Sequence, residues 1–113
     1  MQQAPDIVTA VPKRRYRIGE YNAVVLGDVE CRDPGDYVFV LALVRDGESE
    51  PVLYVALVRT APEVFEMRVT VMDDSRTYPA GASAAEIDEF SEAALDAAVR
   101  LFKLRDETPY RVM

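Results

Sequence analysis

The chain has 113 residues, 50% hydrophobic and 29% charged, which predicts one domain long enough to bury a core of its own. Its formal charge of −7 opposes the basic field that nonspecific nucleic-acid binding and anionic membranes draw on. It has no histidine and no tryptophan, a single cysteine, and five glycines that form no phosphate-cradling cluster. These absences remove histidine-dependent triads, the commonest metal ligand, an intramolecular disulfide and nucleotide-binding loops.

Residues 1–13, punctuated by Pro5 and Pro12, read as a flexible N-terminal tail on which Ile7, Val8 and Val11 offer docking groups. Residues 14–113 read as a single α+β domain. The tail has no apolar core preceded by basic residues, the pattern of a signal peptide, and no run of 18 apolar residues exists to span a membrane. A cytoplasmic location is the expectation.

A strand is predicted over about 16–31, with Gly19 able to split off a short leading piece. Tyr21, Ala23, Val25, Gly27, Val29 and Cys31 share one face by parity, and Asn22, Val24, Leu26, Asp28 and Glu30 the other. Arg32 to Asp36 carries the turn residues Pro34 and Gly35. Strands follow at about 37–45 and 51–59. A two-residue turn at Asp46-Gly47 would set Ser49 and Glu50 against Val44 and Leu43, so a longer loop pairing Val44 with Val52 is the better register. It puts Phe39, Leu41 and Leu43 beside Leu57, Val55 and Leu53, and Val38, Val40 and Ala42 beside Val58, Ala56 and Tyr54. The repeated ALVR at 42–45 and 56–59 reflects shared strand composition.

A fourth strand spans about 64–73, with Phe65, Met67, Val69 and Val71 inward and Glu66, Arg68 and Thr70 outward. Asp73 to Arg76 ends it, and Tyr78 to Gly81 turns the chain. A helix is predicted over about 83–105: Ser83 and Glu86 have capping-box spacing, acids lead, Arg100, Lys103 and Arg105 close, and Pro109 forbids continuation. Ile87, Phe90, Ala94, Ala97, Leu101 and Leu104, widened by Ala98 and Phe102, form its apolar stripe.

The expected fold is therefore a four- or five-stranded antiparallel meander followed by one long C-terminal amphipathic helix packed on one face. One helix covers one face, whereas the strands at 37–45 and 51–59 are apolar on both. The tail and sheet curvature can hide part of the second face, and a homodimer, by sheet face or helix exchange, is expected to bury the rest.

No residue is singled out as catalytic, cofactor-binding or metal-ligating, and no cofactor is expected. Cys31 lies between Glu30 and Arg32-Asp33, so acids offset the positive charge a reactive thiolate needs, and it reads as a small core residue. Asp73 and Asp74 lack the spaced oxygens and glycine of a cation loop and read as a solvated strand end. Glu86, Asp88, Glu89, Glu92 and Asp96 form an acidic helix face, which reads as solvated, with recognition of a basic partner as the alternative. The basic run Lys13, Arg14, Arg15 and Arg17 offers contacts to phosphate, to an acidic partner or to the chain's own acidic helix. Arg45 and Arg59 fall near opposite ends of their hairpin. Tyr16, Tyr21, Tyr37 and Tyr54 read as core-edge residues rather than a stacking platform.

The leading functional expectation is a small, non-catalytic, dimeric interaction or adaptor protein, chaperone-like in the sense of holding another protein. A module with a ligand pocket between helix and sheet, lined by Phe39, Leu41, Phe90 and Leu101, is the alternative. A β-β-β-β-α order also occurs in helix-swapped dimers that bind single-stranded nucleic acid. That likeness is one of topology alone, and the acidic charge opposes the basic, aromatic grooves such binding uses.

Overall fold

The computed structural model describes residues 7–32, 36–62, 64–71, 74–80, 85–101 and 109–112. The elements in chain order are β1 (Ile7–Ile18), β2 (Tyr21–Cys31), β3 (Asp36–Arg45), β4 (Leu53–Ala61), β5 (Val64–Val71), β6 (Asp74–Ala80), α1 (Ile87–Leu101) and β7 (Tyr110–Arg111). The strands form one antiparallel sheet in the order β6-β5-β4-β3-β2-β1-β7. The α+β architecture expected from the sequence is what forms: a meander, then a single helix packed on it.

Among the described residues the sheet has seven strands rather than four or five, and each addition has a local cause. The stretch 16–31 is two strands, because Gly19, at φ 55°, turns the chain between Ile18 and Tyr21. Residues 7–13, read as tail, are the first half of β1 and pair with β2. Asp74 to Arg76 and Tyr78 to Ala80, read as turn residues, belong to β6 at a sheet edge, where Pro79 sits opposite Glu66 and an edge strand tolerates proline. β7 is a two-residue return onto β1.

The β3–β4 register is the predicted one from Phe39↔Leu57 to Leu43↔Leu53, and the Val52 N–H donates to the Leu43 carbonyl at 2.8 Å. On the helix side, Ile18, Ala23, Val25, Leu41, Leu43, Leu53, Val55, Leu57 and Val69 join Phe90, Ala94 and Ala98 in the main core, with Phe65, Met67 and Val71 packed at its margin. Phe39 stacks on Phe90 with ring centroids 5.4 Å apart. The small Ala94 and Ala98 let α1 lie close across β3 and β4. The helix is buried along Phe90, Ser91, Ala94 and Ala98, whereas Leu101 is largely exposed. The predicted cap at Ser83 and the residues Phe102, Lys103, Leu104 and Arg105 lie outside the described residues.

The second face needs no second subunit to cover its centre. Val40, Ala56 and Val58 are buried within one chain, together with Tyr37. The cover is supplied by the far half of the β1–β2 ribbon. β2 pairs with β3 only as far as Leu26↔Val40, while its pairing with β1 continues to Ile7↔Cys31. Parity puts Val25, Val29 and Cys31 on one face, yet Val25 packs in the main core and Val29 and Cys31 pack on the second cluster with Ile7 and Leu26. The switch falls at Asp28, whose φ of 48° breaks the two-residue alternation. From there the ribbon coils over the sheet, and Ile7, read as part of a tail, becomes part of the cover. This removes the burial premise from which a dimer was expected.

Candidate functional site

The basic run is largely neutralised inside the chain. Lys13 pairs with Asp28 at 3.1 Å, Arg14 with Asp88 of α1 at 2.5 Å, and Arg17 with Asp46. Arg14 therefore makes the contact with the chain's own acidic helix, and Arg15 is exposed with no ion pair among the described residues. Arg17 reaches both carboxylate oxygens of Asp46 and donates to the Asn22 side-chain Oδ1 at 3.1 Å, while the Asn22 Nδ2 donates to Asp46 at 2.9 Å. With the Asp46 N–H on the Glu20 carbonyl at 2.9 Å, this network ties the β1–β2 turn to the β3–β4 turn. The Arg17 guanidinium and Asn22 hold the Asp46 carboxyl below its ordinary range.

Arg45 pairs with Glu20 at that end of the sheet, and Arg59 with Asp36 at the other, so the two do not form one site. Tyr16 and Tyr21 pack on the main core, whereas Tyr37 and Tyr54 lie on the second cluster. Tyrosines on opposite faces make no stacking platform. Burial, and secondarily Glu50, pushes the Tyr54 phenol up. Burial works against the charge of Arg68, but its bonds to Glu66, at 2.9 Å, and to Tyr37 outweigh that and raise its pKa.

Cys31, read as a small core residue, is half-buried at the margin of the second cluster. Asp73 lies outside the described residues, and Asp74 opens β6 opposite Val71. Among the described residues, no group of three or more His, Cys, Asp or Glu is placed to hold a metal, and no helix is long and apolar enough to cross a membrane. At the helix–sheet seam where a ligand pocket was considered, Phe39 stacks on Phe90 and Leu41 is buried, while Leu101 is largely exposed.

Two surfaces remain distinctive. One is the outer face of α1, where Glu89, Glu92, Ala93 and Asp96 line a shallow depression and Glu86, Glu89 and Glu92 carry no ion pair among the described residues. The other is the sheet edge at β1. Its partner β7 pairs only with Tyr16 and Arg17, and the Val112 N–H adds one bond to the Arg15 carbonyl at 2.7 Å. Among the described residues, no strand pairs with the outer edge of β1 from Ile7 to Arg14. Val8 (53% exposed) and Val11 (45%) lie on that stretch, with Tyr110 (60%) and Val112 (63%) beside it. Of the described exposed large hydrophobics, only Val64 and Leu101 lie elsewhere.

The acidic helix face was read from the sequence, whereas the β1 edge was not, because it exists only once residues 7–13 are a strand. The signal was Ile7, Val8 and Val11 themselves, apolar residues in a segment otherwise read as tail. No family model, no curated protein and no solved structure matches the chain.

Proposed function

We propose that the protein is a small, non-catalytic interaction protein that self-associates and serves as an adaptor for another protein. The observation that carries this reading is the collection of exposed apolar side chains Val8, Val11, Tyr110 and Val112 along one edge of the sheet. An open edge of this kind presents backbone N–H and C=O groups ready to take another strand, and folded proteins ordinarily blunt or cover it. The acidic outer face of α1 supports the adaptor half of the reading, since Glu86, Glu89 and Glu92 are left to interact outside the chain with a basic surface. The absence of histidine from the whole sequence supports the non-catalytic half, and a lone thiol, Cys31, suits a reducing cytoplasm.

The test is absolute mass by light scattering behind a sizing column, followed through a dilution series. A mass of twice 12.6 kDa that falls towards 12.6 kDa on dilution is the expected result. A constant 12.6 kDa at every concentration would sink the self-association reading.

A further inference from the structure

We infer that the seam of self-association is the open stretch Ile7–Val11 of β1, paired antiparallel with the same stretch of a second copy about a twofold axis at Thr9. This rests on the self-association reading and says where and how it occurs. The boundaries of the stretch are visible in the structure. At one end β7 already occupies the edge at Tyr16 and Arg17. Before that point, Pro12 has no N–H to offer, a device by which an edge is closed to further strands. What is left open is the stretch Ile7, Val8, Thr9, Ala10 and Val11.

The chemistry of that stretch selects its partner. It carries no charge, and the cations that follow it, Lys13 and Arg14, are neutralised by Asp28 and Asp88. An acidic or basic strand gains nothing there, whereas a short uncharged one fits. The other sheet edge, β6, carries Asp74, Arg76 and Pro79 in its sequence and is the wrong kind of strand. The stretch is its own complement. A twofold at Thr9 sets Ile7 against Val11 and Val8 against Ala10, with Thr9 facing Thr9, pairs that favour sheet formation. The same operation sends the basic residues of the two copies outward in opposite directions. A twofold centred on Arg14 or Arg15 would instead set arginine against arginine. Two seven-stranded sheets would thereby become one, a closed isologous contact in which each copy supplies the same surface. The register shifts at Ile7, Thr9 and Val11 twist the edge and keep the seam short, so the interface is smaller than the about 1,200 Å² of stable complexes and the dimer exchanges readily.

Two measurements test the seam on the intact chain. V8K/V11K alters two exposed side chains and places like charges across the twofold. It should raise the dimer dissociation constant at least about tenfold in the dilution series, while E89K/E92K on the outer face of α1 should change it less than about twofold. In a C31S background, T9C should form a disulfide-linked dimer on mild oxidation, since facing residues of an antiparallel pair approach within disulfide reach, and V64C should not. A wild-type dimer whose dissociation constant is unmoved by V8K/V11K, with no cross-link in the T9C variant, overturns the seam and leaves self-association standing. A wild-type monomer overturns both.

Discussion

Ser91 lies in the middle of α1 with 2% of its surface exposed, and its Oγ has no hydrogen-bond partner among the described residues. A buried hydroxyl that has left water without gaining a bond costs about 1–3 kcal/mol. Ser91→Ala removes that cost and gains a few tenths of a kcal/mol, roughly, in helix propensity. Against this stands the loss of the oxygen's van der Waals contacts, a handful at about 0.1–0.2 kcal/mol each. The net is a stabilisation of about 1–2 kcal/mol, which in a domain of this size raises the melting temperature by about 4–8 °C. Urea unfolding followed by far-ultraviolet circular dichroism is the assay, since the chain has no tryptophan to report by fluorescence. At a urea slope of about 1–3 kcal/mol/M the midpoint should move up by about 0.5–1 M. Wild type and variant must be compared at equal protein concentration, because self-association moves midpoints by mass action. A midpoint that falls in Ser91→Ala, with the slope unchanged, would refute the reasoning, because it would mean that the hydroxyl is bonded in solution.

Phe90→Ala removes the ring stacked on Phe39 at the centre of the helix–sheet seam and should cost about 3–5 kcal/mol, read as a lower urea midpoint or as dye binding to a loosened core. Asp28→Val forces a β-branched residue into φ 48° at the point where the ribbon changes face and should cost about 1–2 kcal/mol, whereas Asp28→Gly should be tolerated. The folded-state carboxyl of Asp46 is held below its ordinary 3.8 by Arg17, so its contribution is present above that pH and is lost as pH falls through the depressed folded value. The stability difference between wild type and Asp46→Asn, measured as urea midpoints, should therefore be constant near neutrality and shrink below about pH 4. A difference that grows on acidification would contradict the Arg17–Asp46 contact.

The centre of the fold was legible because its residues meet the assumptions that parity and periodicity make. Leu41, Leu43, Leu53, Val55 and Leu57 alternate without interruption, and both candidate loops could be judged by which one put polar against apolar. The stripe on α1 was legible apart from its exact angle: Ser91 turned inward because the small Ala94 and Ala98 beside it bring the helix close, and Leu101 stayed out. The edges were not legible. Thr9, Pro12 and Lys13 interrupt alternation in β1 because register shifts there absorb extra residues, so a paired strand carries the pattern of a tail. Pro79 argued against a strand, although at a sheet edge it costs little. The change of face at Asp28 was hidden for a different reason. Aspartate tolerates positive φ but does not announce it, so Val29 and Cys31 were assigned to the wrong side and the cover over the second face was missed. The candidate surface at β1 was lost with the strand that bears it.

The position of β7 bears on the order in which the molecule assembles. From β1 to β6 every strand pairs with its neighbour in sequence, so each hairpin closes a short loop and the sheet can zip up progressively as the chain is synthesised. The pairing of Arg111 with Tyr16 breaks that pattern, joining the first strand to the last after α1 has crossed the sheet. It is the contact with the longest loop to close and only a two-residue strand to reward it. The final stretch of β1 therefore waits, bare, until the end of folding, and until β7 arrives no described strand covers the outer edge of β1 anywhere from Ile7 to Arg17.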